Sequence, residues 1–239
     1  WDKDTFRNGM QAPDAPLDWA WMSDTWNNSQ WMRAIRNSFF IGICATLLST
    51  SLGTVAAIGL SRSEMPHRRL IMSILISPMI VPLVITAAGM FFFYSKVHLS
   101  QTYLGVIMAH AVLGTPFVII TVTATLVGFD KSLVRASNSL GAGPIETFFK
   151  IQMPLIVPGV ISGGLFAFIT SFDEVVDVLF LASPEQRTIP RQMWSGIREQ
   201  ISPTILAVAT LLVLLSIVLL TVIELLRRRS ERLRGITRT

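Results

Sequence analysis

The segment Tyr103-Leu-Gly-Val-Ile-Met-Ala-His-Ala-Val-Leu-Gly-Thr-Pro-Phe-Val-Ile-Ile-Thr-Val-Thr-Ala-Thr-Leu-Val127 contains no Asp, Glu, Lys or Arg. Coiled into a helix at about 1.5 Å per residue, it is long enough to cross the ~30 Å hydrocarbon core of a bilayer. Four further stretches are predominantly apolar and of comparable length: Ile35–Leu60, Leu70–Tyr94, Pro158–Ala182 and Ile205–Leu226. Lipid offers no partner to backbone N–H and C=O groups, so each stretch is predicted to be a helix that satisfies them internally. The whole 239-residue chain is 51% hydrophobic and 15% charged, where soluble domains carry about 25% charged residues. The expectation is an all-α membrane protein, a polytopic helical bundle with about five spans. No separate soluble domain fits between the runs. Residues 1–34 form an extracytoplasmic or interfacial segment, 35–226 the transmembrane domain with a cytoplasmic loop at 130–157, and 227–239 a basic cytoplasmic tail.

Loop charge sets the predicted orientation. Arg62, Arg68 and Arg69 follow the first run, and Lys131, Arg135 and Lys150 follow the third. Arg227, Arg228, Arg229, Arg232, Arg234 and Arg238 follow the last. Alternating spans put all three clusters on one side, which the excess of positive charge marks as cytoplasmic. The net charge of +5 is thereby accounted for without nucleic acid. Cys44, the single cysteine, lies inside the first run and can form no disulfide within the chain; it reads as a small apolar residue.

Trp19, Trp21, Trp26 and Trp31 lead into the first run, and tryptophan favours the membrane–water interface. Asp18–Arg36 is accordingly predicted to be an interfacial helix, with 2–16 exposed and irregular. An outward-facing start suggests a preceding helix in the full-length protein. Pro78 and Pro82 remove helical hydrogen bonds in the second run and predict a kink or a break there.

The loop after the third run reads Lys131-Ser-Leu-Val-Arg-Ala-Ser-Asn-Ser-Leu-Gly141-Ala-Gly143-Pro144-Ile-Glu-Thr-Phe-Phe-Lys-Ile151-Gln-Met-Pro154. Two short helices meeting at a turn are expected. Gly141 and Gly143 supply backbone freedom, and Pro144 opens the second helix at its first position. Ile145, Phe148 and Phe149 form an apolar face suited to a groove on a soluble partner. Pro154 and Pro158 are expected to redirect the chain into the next span.

This stretch resembles the cytoplasmic loop of permease subunits in binding-protein-dependent ABC importers, whose pattern is Glu-Ala-Ala, three residues, Gly, nine residues, Ile, one residue, Leu-Pro. Ala136, Gly141, Ile151 and Pro154 match; Arg135, Ser137 and Met153 depart from it. Asn37-Ser38, Leu52-Gly53-Thr54 and Ser171-Phe-Asp173-Glu174 extend the likeness, which is nearest to the second permease of spermidine/putrescine-type importers. The resemblance implies the type I importer permease fold, with six spans in the full-length chain, in the bacterial inner membrane. It implies that Ala136, Gly141, Ala142, Gly143, Pro144, Ile145, Phe148, Ile151 and Pro154 couple to an ATPase. It further implies a second homologous permease, two cytoplasmic ATPase subunits that bind ATP and Mg, and an extracytoplasmic solute-binding protein. The chain itself would carry no cofactor.

The fourth run holds three carboxylates, Asp173, Glu174 and Asp177, among apolar neighbours. A charge at a helix centre costs about 2.5–3.5 kcal/mol on insertion scales. On a continuous helix Asp173 and Asp177 share a face and repel, so a cation or a shared proton is expected to compensate. A polyamine or other small organic cation answers that need. Solvation near the outer mouth, or pairing with a partner permease, answers it as well. His110 reads as a packing histidine, and Tyr94 as an interface anchor. The loop 184–203, with Arg191 and Trp194, reads as an interfacial or re-entrant segment that helps receive the binding protein.

No Gly-x-x-x-x-Gly-Lys-Ser/Thr run, Cys/His cluster or hydrolase constellation is present. The chain is expected to be a transport subunit and not an enzyme. The alternatives left open are an importer for an amino-acid derivative, opine or phosphonate, and an ion-coupled secondary transporter.

Overall fold

The structure is a computed structural model that describes residues 29–62, 65–127 and 130–199, with 208–210, 212–214, 216–218, 221–222 and 224–225 beyond them. The readings placed on Trp19, Trp21 and Trp26, on the basic tail, and on parts of the fifth run lie outside the described residues.

Helix α1 spans Ser29–Leu60, so the first membrane helix begins within the segment expected to be interfacial. Trp31 is one of its first residues and is only 5% exposed, packed with Ala34, Phe172, Ile189 and Val208. The indole is held by the protein core and does not anchor in the bilayer interface. An apolar pocket supplied by three other parts of the chain removes more of its surface from water than a headgroup layer would.

The second run is broken. Helix α2, Arg68–Ile76, ends in a tight turn at Ser77–Met79, and α3, Leu83–Lys96, leaves at 97° to the first piece. Pro78 and Pro82 withdraw two N–H donors. The Ser77 carbonyl accepts from the N–H groups of Ile80 and Val81 at 2.9 and 3.0 Å, the first of them closing a tighter turn than an α-helix makes.

Helix α4 covers Tyr103–Val127 and α5 covers Lys131–Ser139. Helix α6 runs unbroken through Pro144–Asp173. Its Phe148–Gln152 turn is wound more loosely, with the Met153 N–H donating to the Phe148 carbonyl five residues back. Pro154 follows directly, and the wide turn absorbs its missing donor. Contrary to expectation, Pro154 and Pro158 do not redirect the chain: the second half of the loop is the first part of the span. The short helix α7, Val176–Leu181, and the outer helix α8, Ile189–Glu199, follow.

Neighbouring side chains fix the directions. Along α1 and α4, Asn37 meets Tyr103, Ser49 meets Ala111, and Gly53 meets Val118, so these two helices run parallel. The intervening α2–α3 pair must therefore return across the bundle, and together it counts as one crossing despite its bend. Helix α6 is antiparallel, with Gly159 beside Thr125 and Ser171 beside His110. One end of the bundle gathers residues 61–62, 65–67 and 130–143; the other gathers 97–102 and 174–188.

The core is the three-way packing of α1, α4 and α6, built around Ala57, Val118, Val122, Ile156 and Ala167. Small residues let the backbones approach, as membrane helices require when apolar burial alone does not drive them together. A Cβ on Gly163 would stand 2.7 Å from Val118 Cα, and one on Gly114 would stand 2.9 Å from Ala167 Cβ.

Candidate functional site

The three acids do not share a helical face, because α6 ends at Asp173 and the chain is extended at Glu174. The four-residue spacing that would align Asp173 with Asp177 does not survive this break, and each acid has a different environment. Asp173 is exposed at the end of α6. Glu174 is 7% exposed, and its Oε1 accepts from the N–H groups of Val176 and Asp177 at 2.5 and 3.0 Å. Its carboxylate thereby satisfies the first N–H groups of α7 from the position before the N-cap, Val175. Asp177 is fully buried, and neither carboxylate oxygen has a hydrogen-bond partner among the described residues. Its helix packs with Tyr94, Val106 and Ala109 through Val178 and Leu181. Tyr94 is 5% exposed in that cluster, so it is a core residue where an interface anchor was expected.

Beside the acids, polar side chains fasten the outer loop to the bundle. Asn37 Nδ2 donates to the carbonyls of Glu185 and Arg187 at 2.7 and 3.0 Å. The Tyr103 hydroxyl, 3.1 Å from Asn37 Oδ1 and from the Glu185 carbonyl, shares its proton between them. Ser38 Oγ accepts from the Ile189 N–H at 2.9 Å. Arg191 Nη1 donates to the carbonyls of Val178 and Ala182 at 2.6 and 2.7 Å. Burial, and then the neighbouring Arg187, pull the Arg191 guanidinium below its usual pKa. Sequence reading had flagged Asn37-Ser38 only by resemblance and Arg191 only as a loop residue. Nothing local in the sequence shows that Asn37 and Ser38 reach partners about 150 positions away, or that Arg191 turns back onto Val178 and Ala182.

His110 is fully buried, with Nδ1 2.7 Å from Ser171 Oγ. This bond ties α4 to α6 a short distance below the acids, in keeping with a packing role. No group of three or more His, Cys, Asp or Glu among the described residues is arranged to hold a metal ion.

At the opposite end, Asp130 caps α5 by accepting from the Ser132 N–H at 2.8 Å. Hydrogen bonds from Ser132 hold its carboxyl below the usual range. The bend is closed by Gly141, whose φ of 84° lies in the left-handed region, and by the Ala142 N–H donating to the Ser137 carbonyl at 3.1 Å. Ser137, which replaces the second alanine of the resembled pattern, is 2.9 Å through Oγ from Thr147 Oγ1. That buried contact staples α5 to the start of α6. Leu133, Ala136, Leu140, Gly141, Ala142 and Ile151 line an open hollow of about 410 Å³. Leu140, Ile145 and Phe149 project from its surroundings at 89%, 74% and 63% exposure. Phe148, expected on the same face, turns inward against the α1–α4–α6 core. Arg135 is exposed.

This fold, with three long apolar helices, one broken crossing and polar ends of contrasting design, defines a multi-pass membrane protein. The chain belongs to the family described as "Binding-protein-dependent transport system inner membrane component", which matches residues 49–232. It is 28% identical over 90% of its length to a spermidine/putrescine transport system permease protein PotC of Haemophilus influenzae, covering 84% of that protein. It is 31% identical over 80% of its length to the putrescine transport system permease protein PotI of Escherichia coli K12, covering 71% of it. The fold is similar to that of a bacterial alginate ABC transporter chain, with TM-score 0.65, 15% identity, and coverage of 92% of this chain and 84% of that one. It is also similar to a MetNI methionine transporter chain, with TM-score 0.63, 19% identity, and coverage of 87% and 97%. The protein is a transmembrane permease subunit of an ABC importer. It is a transport component and not an enzyme, and ATP hydrolysis belongs to a separate subunit. The secondary-transporter alternative is set aside by this membership.

Proposed function

We propose that the chain conducts a polyamine or a similar small organic cation across the bacterial inner membrane. In this reading it pairs with a second homologous permease and is driven by two ATPase subunits that bind ATP and Mg. An extracytoplasmic binding protein delivers the solute to the end formed by 97–102 and 174–188. The observation that carries the reading is Asp173, an acid left exposed where α6 breaks. The last carbonyls of a long helix carry partial negative charge, so Asp173 and the helix terminus together favour a cation. Glu174 and Asp177 flank the same break, but Glu174 is engaged by the backbone of α7 and Asp177 is buried within it. The names of the relatives at 28% and 31% identity, polyamine permeases both, support this substrate class.

The hollow and the exposed apolar residues of 130–157 are proposed as the seat of the ATPase. Ala136, Gly141, Ala142 and Ile151 line it, Gly143 and Pro144 begin the return helix, and Ile145 stands at its rim. Phe148 and Pro154 support it from the span.

The test is ATP-dependent uptake of labelled putrescine and spermidine by the reconstituted complex, with Asp173→Asn compared to wild type. Loss of one charge–charge contact of about 1–2 kcal/mol predicts roughly a 5- to 30-fold drop in uptake at limiting substrate, with subunit assembly unchanged. Undiminished uptake of both amines would remove Asp173 from the route. Uptake of an anionic or zwitterionic solute by the same complex, with neither amine transported, would replace the substrate class.

A further inference from the structure

Helix α7 is six residues long, far below the length at which a helix holds itself together in isolation. Its order is imposed from its ends. At the N-terminus the Glu174 carboxylate takes the N–H groups of Val176 and Asp177. At the C-terminus three carbonyls are taken by groups from elsewhere. Arg191 Nη1 of α8 binds those of Val178 and Ala182 at 2.6 and 2.7 Å, and the Gln101 N–H binds that of Leu181 at 2.7 Å. Acid at the positive end and base at the negative end both favour the helix dipole. Within this held segment lies Asp177, fully buried with both oxygens unpartnered among the described residues. A carboxyl in that condition stays in place only while its surroundings over-determine it.

Arg191 is the bond that links α7 to the outside. It belongs to α8, whose Ile189 and Met193 rest on α1 and Phe172 and whose Trp194 is 47% exposed. Load on the outer surface of α8 can reach α7 through this guanidinium as well as through the connecting chain 182–188. We propose that Arg191 is a positioning residue that couples the outer helix to α7 and the buried Asp177, so that engagement of α8 from outside moves the acidic break. The inference rests on the proposed delivery of solute at this end.

The experiment uses the complete complex in nanodiscs, with Arg191→Gln and Arg191→Lys. Two readouts are taken: amide exchange of residues 176–182, and ATP hydrolysis with and without solute-loaded binding protein. Removing a half-buried charge-assisted cap predicts about tenfold faster exchange over that segment in Arg191→Gln. Hydrolysis without binding protein stays within about twofold of wild type, while stimulation by binding protein falls about tenfold. Arg191→Lys, which keeps a cationic donor, recovers part of both. Wild-type exchange and wild-type stimulation in Arg191→Gln would overturn the inference, as would faster exchange with stimulation intact. Failure of Arg191→Gln to assemble while Arg191→Lys behaves as wild type in both readouts would overturn it too, by showing a purely structural cation. A wild-type complex that transports neither putrescine nor spermidine sinks the substrate reading alone, because the α7 exchange readout does not depend on which solute is carried.

Discussion

At Gly141 a single backbone angle carries the bend on which the basic-end loop is built. Its φ of 84° is strained for any L side chain, although a Cβ there would meet nothing within 4 Å. The effect of Gly141→Ala is therefore backbone strain undiluted by a clash, about 1 kcal/mol. Gly141→Val is expected to cost more, because a β-branched residue resists the left-handed region further. The expected outcome is a graded fall in ATP-dependent uptake, wild type above alanine above valine, with the amount of assembled complex measured alongside. Equal uptake by all three would show that the bend is not needed in this conformation. The glycine was legible in the sequence because a turn between two helices demands such a residue. The Ser137–Thr147 hydroxyl contact was not, because a serine and a threonine ten positions apart announce nothing until the bend brings them together. The same holds for Asp177. Its spacing from Asp173 implied a shared face, and only the packing of α7 shows it buried and on a different helix.

Helices were legible as runs, but where they break was legible only in part. Pro78 and Pro82 marked the interruption between α2 and α3, since proline withdraws a donor wherever it falls. The interruption at Glu174 carries no such mark: neither proline nor glycine lies between Asp173 and Val176. There the break is stabilised by a side-chain cap and by contacts from α8, which no window of hydropathy can register. Pro154 misled in the opposite sense, because a single widened turn lets α6 pass through it. The close approach of α4 and α6 was also invisible before the helices were seen to pair. It yields a firm expectation. Gly163→Val would press its Cβ onto the backbone of Val118 and the side chain of Thr121. Backbone cannot step aside cheaply, so overpacking of about 1–3 kcal/mol is expected. Gly89→Ala is the control, since a Cβ there meets nothing within 4 Å, and helix propensity favours the alanine by up to about 1 kcal/mol. Thermal unfolding in detergent should fall for the first and hold or rise for the second. A Gly163→Val protein as stable as wild type would mean that the two helices sit farther apart.

The arrangement of the whole bundle follows from two facts of different origin. Parallel α1 and α4 require the chain between them to cross back, which places residues 61–62, 65–67 and 130–143 at one end. Those two segments carry Arg62, Lys131 and Arg135, and the inward preference of such residues predicts that this end faces the cytoplasm. The geometry sorts the loops into two sets without reference to charge, and charge then says which set faces in. Agreement between them was not guaranteed, because a re-entrant α2–α3 hairpin would have left α1 and α4 antiparallel and split the basic loops between the two sides. The consequence can be measured with Cys44 replaced by alanine and one new cysteine introduced at a time. Leu140→Cys lies on the exposed bend, and Glu185→Cys lies on the outer loop, where Glu185 is exposed and is held through its backbone N–H and carbonyl. A membrane-impermeant maleimide should label Glu185→Cys in intact spheroplasts and leave Leu140→Cys unmodified until inverted vesicles are used. The apolar trio of Leu140, Ile145 and Phe149 sharpens the second half of the expectation. An exposed apolar patch of that kind on the cytoplasmic rim is covered when a partner seats there. Labelling of Leu140→Cys in inverted vesicles should therefore drop when the ATPase subunits are present and return when they are stripped away. Labelling of Leu140→Cys from outside would invert the bundle and separate the bend from any cytoplasmic motor.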